Sequence, residues 1–382
     1  MALMTWHGMN AHSVNTIKSN NKRIRRFFTK KKQYSCGMVK VFAISDVHTD
    51  YKENLAWIES HCQEVRGLDL GQSTSQEQEE RVLIVAGDVS DDLDIFRTTF
   101  EHLVSAYHHV FFVTGNHELW VRKKDRTRYD SLGKLREIVR ICDDLGVKTR
   151  PTKVSEQVWI VPMWSWYHAS WDKEPDIPGA YPIERVMMDF HACDWSSQPH
   201  VRASGDDSLA VYFDGMNGRE YVEALDQIKR DRLESGVFVV SFSHFLPHQE
   251  LLPEKRWLFY PNLAKAAGSD YLARRVEELQ PDCHVYGHTH FTQDQKIQGT
   301  ETRFVQWPLG YPKEMKRRRN GGLGWSPIML WDTKDGHSPQ RSSYWSDFYR
   351  NNDRKAHIVT PAPYVSVKSS SPSSVSMKVH IK

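Results

Sequence analysis

Apolar residues in this chain come in short unbroken runs that stop abruptly at polar ones. VKVFAI (39–44) gives way to SDVH, VLIVA (82–86) to GDVSDD, VFFV (110–113) to TGNHE, VFVVS (237–241) to FSH and CHVY (283–286) to GHTH. Runs of strand length without alternation predict strands buried on both faces. Between them the period changes. Leu93, Phe96, Phe100, Leu103, Val104 and Tyr107 keep a spacing of three to four, as do Leu132, Leu135, Ile138, Val139, Cys142 and Leu145, which predicts amphipathic helices. Strands alternating with helices predict an α/β chain whose parallel or mixed sheet is covered by helices. In open α/β sheets function gathers at the carboxyl ends of the strands. Here those ends carry Asp46, His48, Asp88, Asn116, His117, His244, His288 and His290.

The pattern is interrupted once and fades at both ends. From Glu118 to His244 runs a stretch longer than one strand and helix require, and within it WIVPMWSWYHASW crowds Trp159, Trp164, Trp166, Tyr167 and Trp171 together. Residues 194–208, DWSSQPHVRASGDDS, read as a loop. An insertion or cap over about 163–235 is expected. Its aromatic residues, Trp164 and Trp166 among them, either wall a substrate or bury themselves in a second sheet. Residues 1–38 form a basic extension and residues 351–382 a tail, both expected to be disordered, flanking a domain at 39–350.

Charge sharpens this division. The first 38 residues hold eight Lys or Arg and no acid while the whole chain carries +3, so the remainder carries −5. A mildly acidic body argues against a broad nucleic-acid or anionic-membrane footprint. The basic segment is open to three readings: an organelle transit peptide, a nuclear-import patch at KRIRRFFTKKK, or an inert extension ahead of Met38. The five cysteines are scattered and never in C-x-x-C spacing, which fits a reducing, intracellular and cytoplasmic setting rather than a disulfide framework. No apolar run is long enough to span a bilayer.

His288 and His290 stand at the end of a predicted strand with one residue between them, so both rings reach one face. Among 19 histidines in 382 residues chance supplies about one such pair. Partners decide the matter. Carboxylate, amide oxygen and imidazole together suit hard and borderline divalent ions, and the eight groups at the strand ends are about what two ions need. Asp46, Asp88 and Asn116 are each open to a second reading as helix N-caps.

In its ordered motifs DVH, GDVSD, GNHE, SH and GHTH the chain resembles the calcineurin-like metallophosphoesterase superfamily, over about 70% of its length, and is most similar to a plant and algal branch of stand-alone phosphoesterases. The resemblance implies a four-layer α-β-β-α sandwich, two mixed sheets packed face to face with helices outside. It implies two metal ions, from Mn, Fe, Zn or Ni. One would be held by Asp46, His48, Asp88 and His290, the other by Asp88, Asn116, His244 and His288. A hydroxide bridging the ions would attack phosphorus in line. His117 would protonate the leaving alkoxide. Asp91 matches the carboxylate that orients this histidine in the phosphoprotein phosphatases, or else it caps a helix.

Departures from the family narrow the branch. Asp92 and Thr114 stand where phosphoprotein phosphatases carry phosphate-gripping arginines, and GDVSDDLD lacks the tyrosine of purple acid phosphatases. Lys255, Arg256, Lys313 and the KRRR run at 316–319 follow ligand-bearing strands and are candidates for the missing cation, or simply solvated charge. The expected partner is a small phosphorylated substrate, with nucleic acid disfavoured and no membrane expected. Two other functions compete with a phosphate-ester hydrolase: a nuclease or nucleotide-processing phosphodiesterase on the same core, and a non-catalytic scaffold. Retention of all seven ligand positions and of His117 speaks against the scaffold.

Overall fold

The computed structural model describes residues 38–71, 79–198, 200–318 and 324–368. The basic extension, Met38 apart, and the residues after 368 lie outside the described set. Among the described residues eleven strands form two sheets. The first holds β1 (Val39–Ile44), β2 (Glu80–Val85) and β3 (His109–Phe112), with β10 (Ile328–Asp332) and β11 (Gly336–His337) added beyond β1 in the order β11-β10-β1-β2-β3. The second holds β4 (Thr152–Ser155), β5 (Val158–Pro162), β6 (Phe238–Phe242), β7 (Cys283–Tyr286), β8 (Gln293–Lys296) and β9 (Arg303–Gln306) in the order β4-β5-β6-β7-β9-β8. Both are mixed. β1, β2 and β3 run parallel, as do β5, β6, β7 and β9, while β10, β4 and β8 pair antiparallel at their flanks.

The unbroken apolar runs are explained by burial on both faces. On β1 and β2, Val41, Ala43, Val82 and Ile84 meet Ile160, Val240, Phe242 and Val285 between the sheets. The alternate residues Ile44, Leu83 and Val85 turn outward onto Phe96, Phe100, Leu103, Leu135 and Ile138. Those residues belong to α2 (Leu93–Ala106) and α3 (Ser131–Leu145), which with α1 (Lys52–Gly71) cover the first sheet. The outer face of the second sheet is covered differently, by Tyr221, Leu225 and Ile228 and by Leu272, Val276 and Leu279. The helix–sheet–sheet–helix arrangement expected from the motifs is therefore the one observed.

The stretch set apart as an insertion divides in two. It contains α4 (Ile183–Val186), α5 (Asp189–Ala192), α6 (Ser208–Met216) and α7 (Gly218–Ser235). α7 is the ordinary crossover between the parallel strands β5 and β6, as α8 (Asp270–Leu279) is between β6 and β7. Residues 163–217 are additional to that crossover. Of the crowded aromatics, Trp166 and Trp171 are each 2% exposed, and Trp166 packs against Tyr167, Trp195, Phe213 and Phe245. Trp164 packs against the same cluster, so these rings are core.

After β9 come α9 (Pro312–Arg317) and, near the end, α10 (Tyr344–Asn351). The tail expected from 351 is held to the body as far as Lys368. Ala362 N–H donates to Arg256 O at 2.9 Å, Ser366 N–H to Phe259 O at 2.8 Å and Lys368 N–H to Gly179 O at 2.8 Å. Low-complexity composition obscured these backbone partners. No helix among the described residues is long and apolar enough to cross a membrane.

Candidate metal centre

Each strand that ends in a motif delivers its side chain to one place. β1, β2 and β3 bring Asp46, His48, Asp88 and Asn116 from the first sheet, and β6 and β7 bring His244, His288 and His290 from the second. The backbone is bent to do it. Asp46, His48, Asp88, His288 and His290 all have positive φ, between 45° and 76°, and among the described residues other than glycine only Gln280 shares that state. Left-handed backbone at five non-glycine positions is strain kept at one site. Glycines make room: a Cβ on Gly87 would stand 2.5 Å from His244 Nδ1, and one on Gly287 would stand 3.0 Å from Asp46 Oδ2.

Of three groups of donors that converge, two share Asp88, and the third joins His48 and Asp50 to His117. Asp46, His48, Asp88 and His290 form the first and Asp88, His244 and His288 the second, each with donor atoms within 4.8 Å of one another. Asp88 belongs to both. Asn116 Oδ1 joins the second group at 3.1 Å from His244 Nε2 and 3.0 Å from His288 Nδ1. In the first group His48 Nε2 and His290 Nε2 face each other at 2.9 Å. None of the three residues open to a capping role caps a helix. Asn116 makes no capping hydrogen bond, and α2 is capped by Asp92.

Outer hydrogen bonds show which nitrogen each imidazole offers. His244 Nδ1–H donates to Ala86 O (2.9 Å), His288 Nε2–H to Ala266 O (2.8 Å) and His290 Nδ1–H to Glu314 Oε2 (2.8 Å). The opposite nitrogen of each ring is thereby left as a lone pair turned inward, the arrangement that fixes a histidine for metal binding. His48 Nδ1 is buried without a partner. Lone pairs and carboxylates that face one another in a buried space need a cation between them. The donor set therefore fits two metal ions.

Electrostatics agree. Burial pulls the His244 imidazolium down, but the Asp88 charge and hydrogen bond, with Asp46 behind, more than offset it and raise the group to about 9. Burial and the neighbouring His244 push His288 down to about 3. Burial raises Asp46 despite His290 and His244 beside it, whereas at Asp88 the surrounding histidines outweigh burial and hold the carboxyl well below its usual range. A proton on His244 meets part of the positive charge that the carboxylates demand, and a bound metal ion would displace that proton from the inward nitrogen.

Beside the two groups that share Asp88 stands His117, partly exposed. Its Nε2 lies 3.7 Å from Asp88 Oδ2, and its ring stacks on Trp120 with centroids 3.7 Å apart. Among the described residues no hydrogen bond joins it to Asp91. That carboxylate pairs with Arg122, which also reaches Asp50 Oδ1 at 3.4 Å. Glu118 is fully buried and accepts from Gly115 N (2.6 Å), Asp88 N (3.2 Å) and Ser90 N (3.3 Å), tying the β2 loop to the β3 loop.

The expected cations are elsewhere, Arg318 excepted, whose guanidinium feels the charges of Glu314 and Asp46. Lys255 is buried with its ammonium between Asp172 Oδ2 (2.7 Å) and Asp176 Oδ1 (2.8 Å), so its charge is already matched. Arg256 stacks on Trp257 and sits 3.6 Å from Glu254, and Lys313 is exposed on α9. From the basic run, Arg318 turns inward, its Nη2 donating to Pro308 O. Sequence reasoning missed Tyr311, whose ring lies 4.6 Å from that of His48 and 4.7 Å from that of His290, as well as Glu314, Asp189 and Arg122. None belongs to a strand-end motif. Only Arg122, five residues after His117, offered a positional signal.

Residues 39–291 match the profile of the calcineurin-like phosphoesterases. The [acyl-carrier-protein] phosphodiesterase PptH of Mycobacterium tuberculosis is 27% identical over 297 residues, covering 73% of this chain and 80% of that protein. The crystal structure of phosphopantetheinyl hydrolase PptH from the same organism superposes with a TM-score of 0.55 at 23% identity, over 74% of this chain and 93% of that one. This second likeness is one of fold.

Proposed function

The chain belongs to the calcineurin-like phosphoesterase family, and from that premise we propose that it is a phosphodiesterase using two metal ions. The observation that carries this reading is the sharing of Asp88 between two buried donor groups. The ions would be held by Asp46, His48, Asp88 and His290 and by Asp88, Asn116, His244 and His288. When bound they supply Lewis-acid charge to phosphoryl oxygens and acidify water. The protein's own part is geometric. Strained backbone and outer hydrogen bonds hold the donors in place before substrate arrives, so little reorganisation remains during reaction. His117 stands outside both groups and is partly open to solvent, next to Asp88. It is placed to give a proton to the departing alkoxide oxygen, which a diester with a poor leaving group requires. Burial lowers its pKa, which makes the protonated ring a stronger acid and also a scarcer one near neutral pH.

The choice of diester over monoester rests on the mycobacterial relative. A monoesterase generally grips the extra phosphate charge with arginine. Here Arg122, the guanidinium that follows His117, is engaged by Asp50 and Asp91. The proposed substrate class is a phosphodiester joining a phosphopantetheinyl group to a carrier protein. The test loads metal-stripped protein with Mn²⁺ and compares p-nitrophenyl phosphate, bis-p-nitrophenyl phosphate and a phosphopantetheinylated acyl carrier protein. Faster turnover of the diesters, with release of phosphopantetheine from the carrier, is expected. Preference for the monoester would overturn the diesterase reading.

A further inference from the structure

Asp189 is 2% exposed and lies on the short helix α5, in the part of the chain that is additional to the β5–β6 crossover. Three donors end on its carboxylate: Asn116 Nδ2 at 2.8 Å and Trp120 Nε1 at 2.7 Å on Oδ1, and Tyr167 OH at 3.0 Å on Oδ2. Two of these donors belong to the metal centre's surroundings. Asn116 offers its other amide atom to the second donor group, and Trp120 carries the His117 ring. α5 is also tied to that loop by Val121 N–H, which donates to Ala192 O at 2.8 Å.

All three donors are neutral, which is unusual for a buried carboxylate. The same protein shows the common solution at Asp294, whose carboxylate is gripped at both oxygens by Arg303 at 2.7 Å. A buried carboxylate without a cation either takes up a proton or draws on charge beyond its first neighbours. Asn116 connects it to such a charge. With its NH₂ bound to Asp189, the amide must present Oδ1, not nitrogen, to His244 and His288, and the carboxylate polarises that oxygen toward whatever cation it meets.

We propose that Asp189 is a positioning residue for the metal centre, fixing the orientation of Asn116 and through Trp120 the seat of His117. The proposal rests on the two-ion reading above. It makes the additional segment 163–217 part of the site without requiring any of its residues to touch substrate.

The test is Asp189→Asn in the full chain, which keeps the volume but replaces one acceptor oxygen by a donor. Mn²⁺ affinity for both sites is measured by titration against a competing chelator, alongside kcat, KM and the melting temperature of the metal-free protein. One ion should weaken by about 10–100-fold while the other stays within about threefold. Saturating Mn²⁺ should restore kcat only in part, because the seat of His117 is disturbed as well, with KM little changed. Equal weakening of both ions, or no weakening, overturns the proposal. If unmodified protein binds two ions and turns over diester while the variant behaves identically, only this inference falls. Unmodified protein that binds fewer than two ions takes the parent reading down and this one with it. Should Asp189→Asn not fold, Trp120→Phe and Tyr167→Phe each delete one donor. They should weaken the same ion by about 2–10-fold, the worth of one hydrogen bond, and unchanged affinity in both overturns the proposal.

Discussion

Two largely buried polar clusters of this protein are both built around aspartates and are put to different use. Around Lys255 the charges close on themselves: its ammonium meets Asp172 and Asp176, Lys265 meets Asp176 at 2.8 Å, and Arg354 meets Glu174 at 2.6 Å. Around Asp88 they do not close. Carboxylates, an amide oxygen and inward imidazole nitrogens face one another, and the positive charge nearest to them is a proton that metal would displace. A buried cluster satisfied from within holds segments together, and one satisfied only by something added is a site. The difference lies in bookkeeping of donors and acceptors, which no single residue type reveals.

The strongest way to break the comparison is at Asp88. Asp88→Asn removes the carboxylate common to both groups, and ester hydrolysis should fall by at least about 10³-fold, about 4 kcal/mol at the transition state. Thermal unfolding supplies the second half of the experiment. Metal in 1,000-fold excess over its dissociation constant stabilises a folded protein by about 4 kcal/mol. Chelation should therefore lower the melting temperature of the unmodified protein and barely move that of Asp88→Asn. A scaffold without catalysis would show the melting shift and no hydrolysis.

Lys255 should respond the other way round. Lys255→Met leaves Asp172 buried and uncompensated, at a cost of about 3–5 kcal/mol in unfolding free energy. Activity per folded molecule and the response to chelation should stay as they were. Replacing Lys255 and Asp172 together by apolar residues should cost less than the single change, as a closed pair permits. If Lys255→Met instead raised KM with stability intact, the cluster would be part of the substrate site after all.

The two clusters also differ in how much of them could be read from the chain. The ligand-bearing strand ends were legible because an unbroken apolar run marks a doubly buried strand and the next few residues fall at its carboxyl edge. Asp46, Asp88, Asn116, His244 and the His288–His290 pair are all found there. What the chain did not show is contact between distant segments. Lys255 meets Asp172 across 83 residues, and Asn116 meets Asp189 across 73, with no periodicity linking either pair. Arg122 falls in between: it follows the GNHE motif closely, yet its engagement with Asp91 depends on how two loops approach each other. Tryptophans 164 and 166 stayed open to two readings for a related reason, since a run of aromatics looks alike whether it lines a groove or fills a core.

His117 sharpens the boundary of the metal region, being next to both groups and a member of neither. His117→Asn should keep both ions, as measured by metal content. It should lower kcat by about 10²-fold or more, the range of a lost general acid, and less for a good leaving group such as p-nitrophenolate than for an alkyl alkoxide. Equal losses on both leaving groups would assign the ring to charge stabilisation rather than proton donation.

The smallest effect is expected at the exposed edge of the Lys255 cluster. Hydrogen bonds from Lys255 and then Lys265 lower the Asp176 carboxyl to about 2 from a model-peptide value of 3.8. A carboxyl depressed by folding stabilises the folded state in full above its unfolded pKa, and that contribution fades as pH falls toward the folded one. The window is therefore about pH 4 down to about pH 2. Because the Asp176 side chain is 68% exposed, solvent screening holds the contribution below about 1 kcal/mol. Asp176→Asn should accordingly melt slightly below the unmodified protein at pH 7, with the gap closing across that acid window and shrinking in high salt. A gap that persisted unchanged at pH 2 would mean that Asp176 acts through packing and not through its charge.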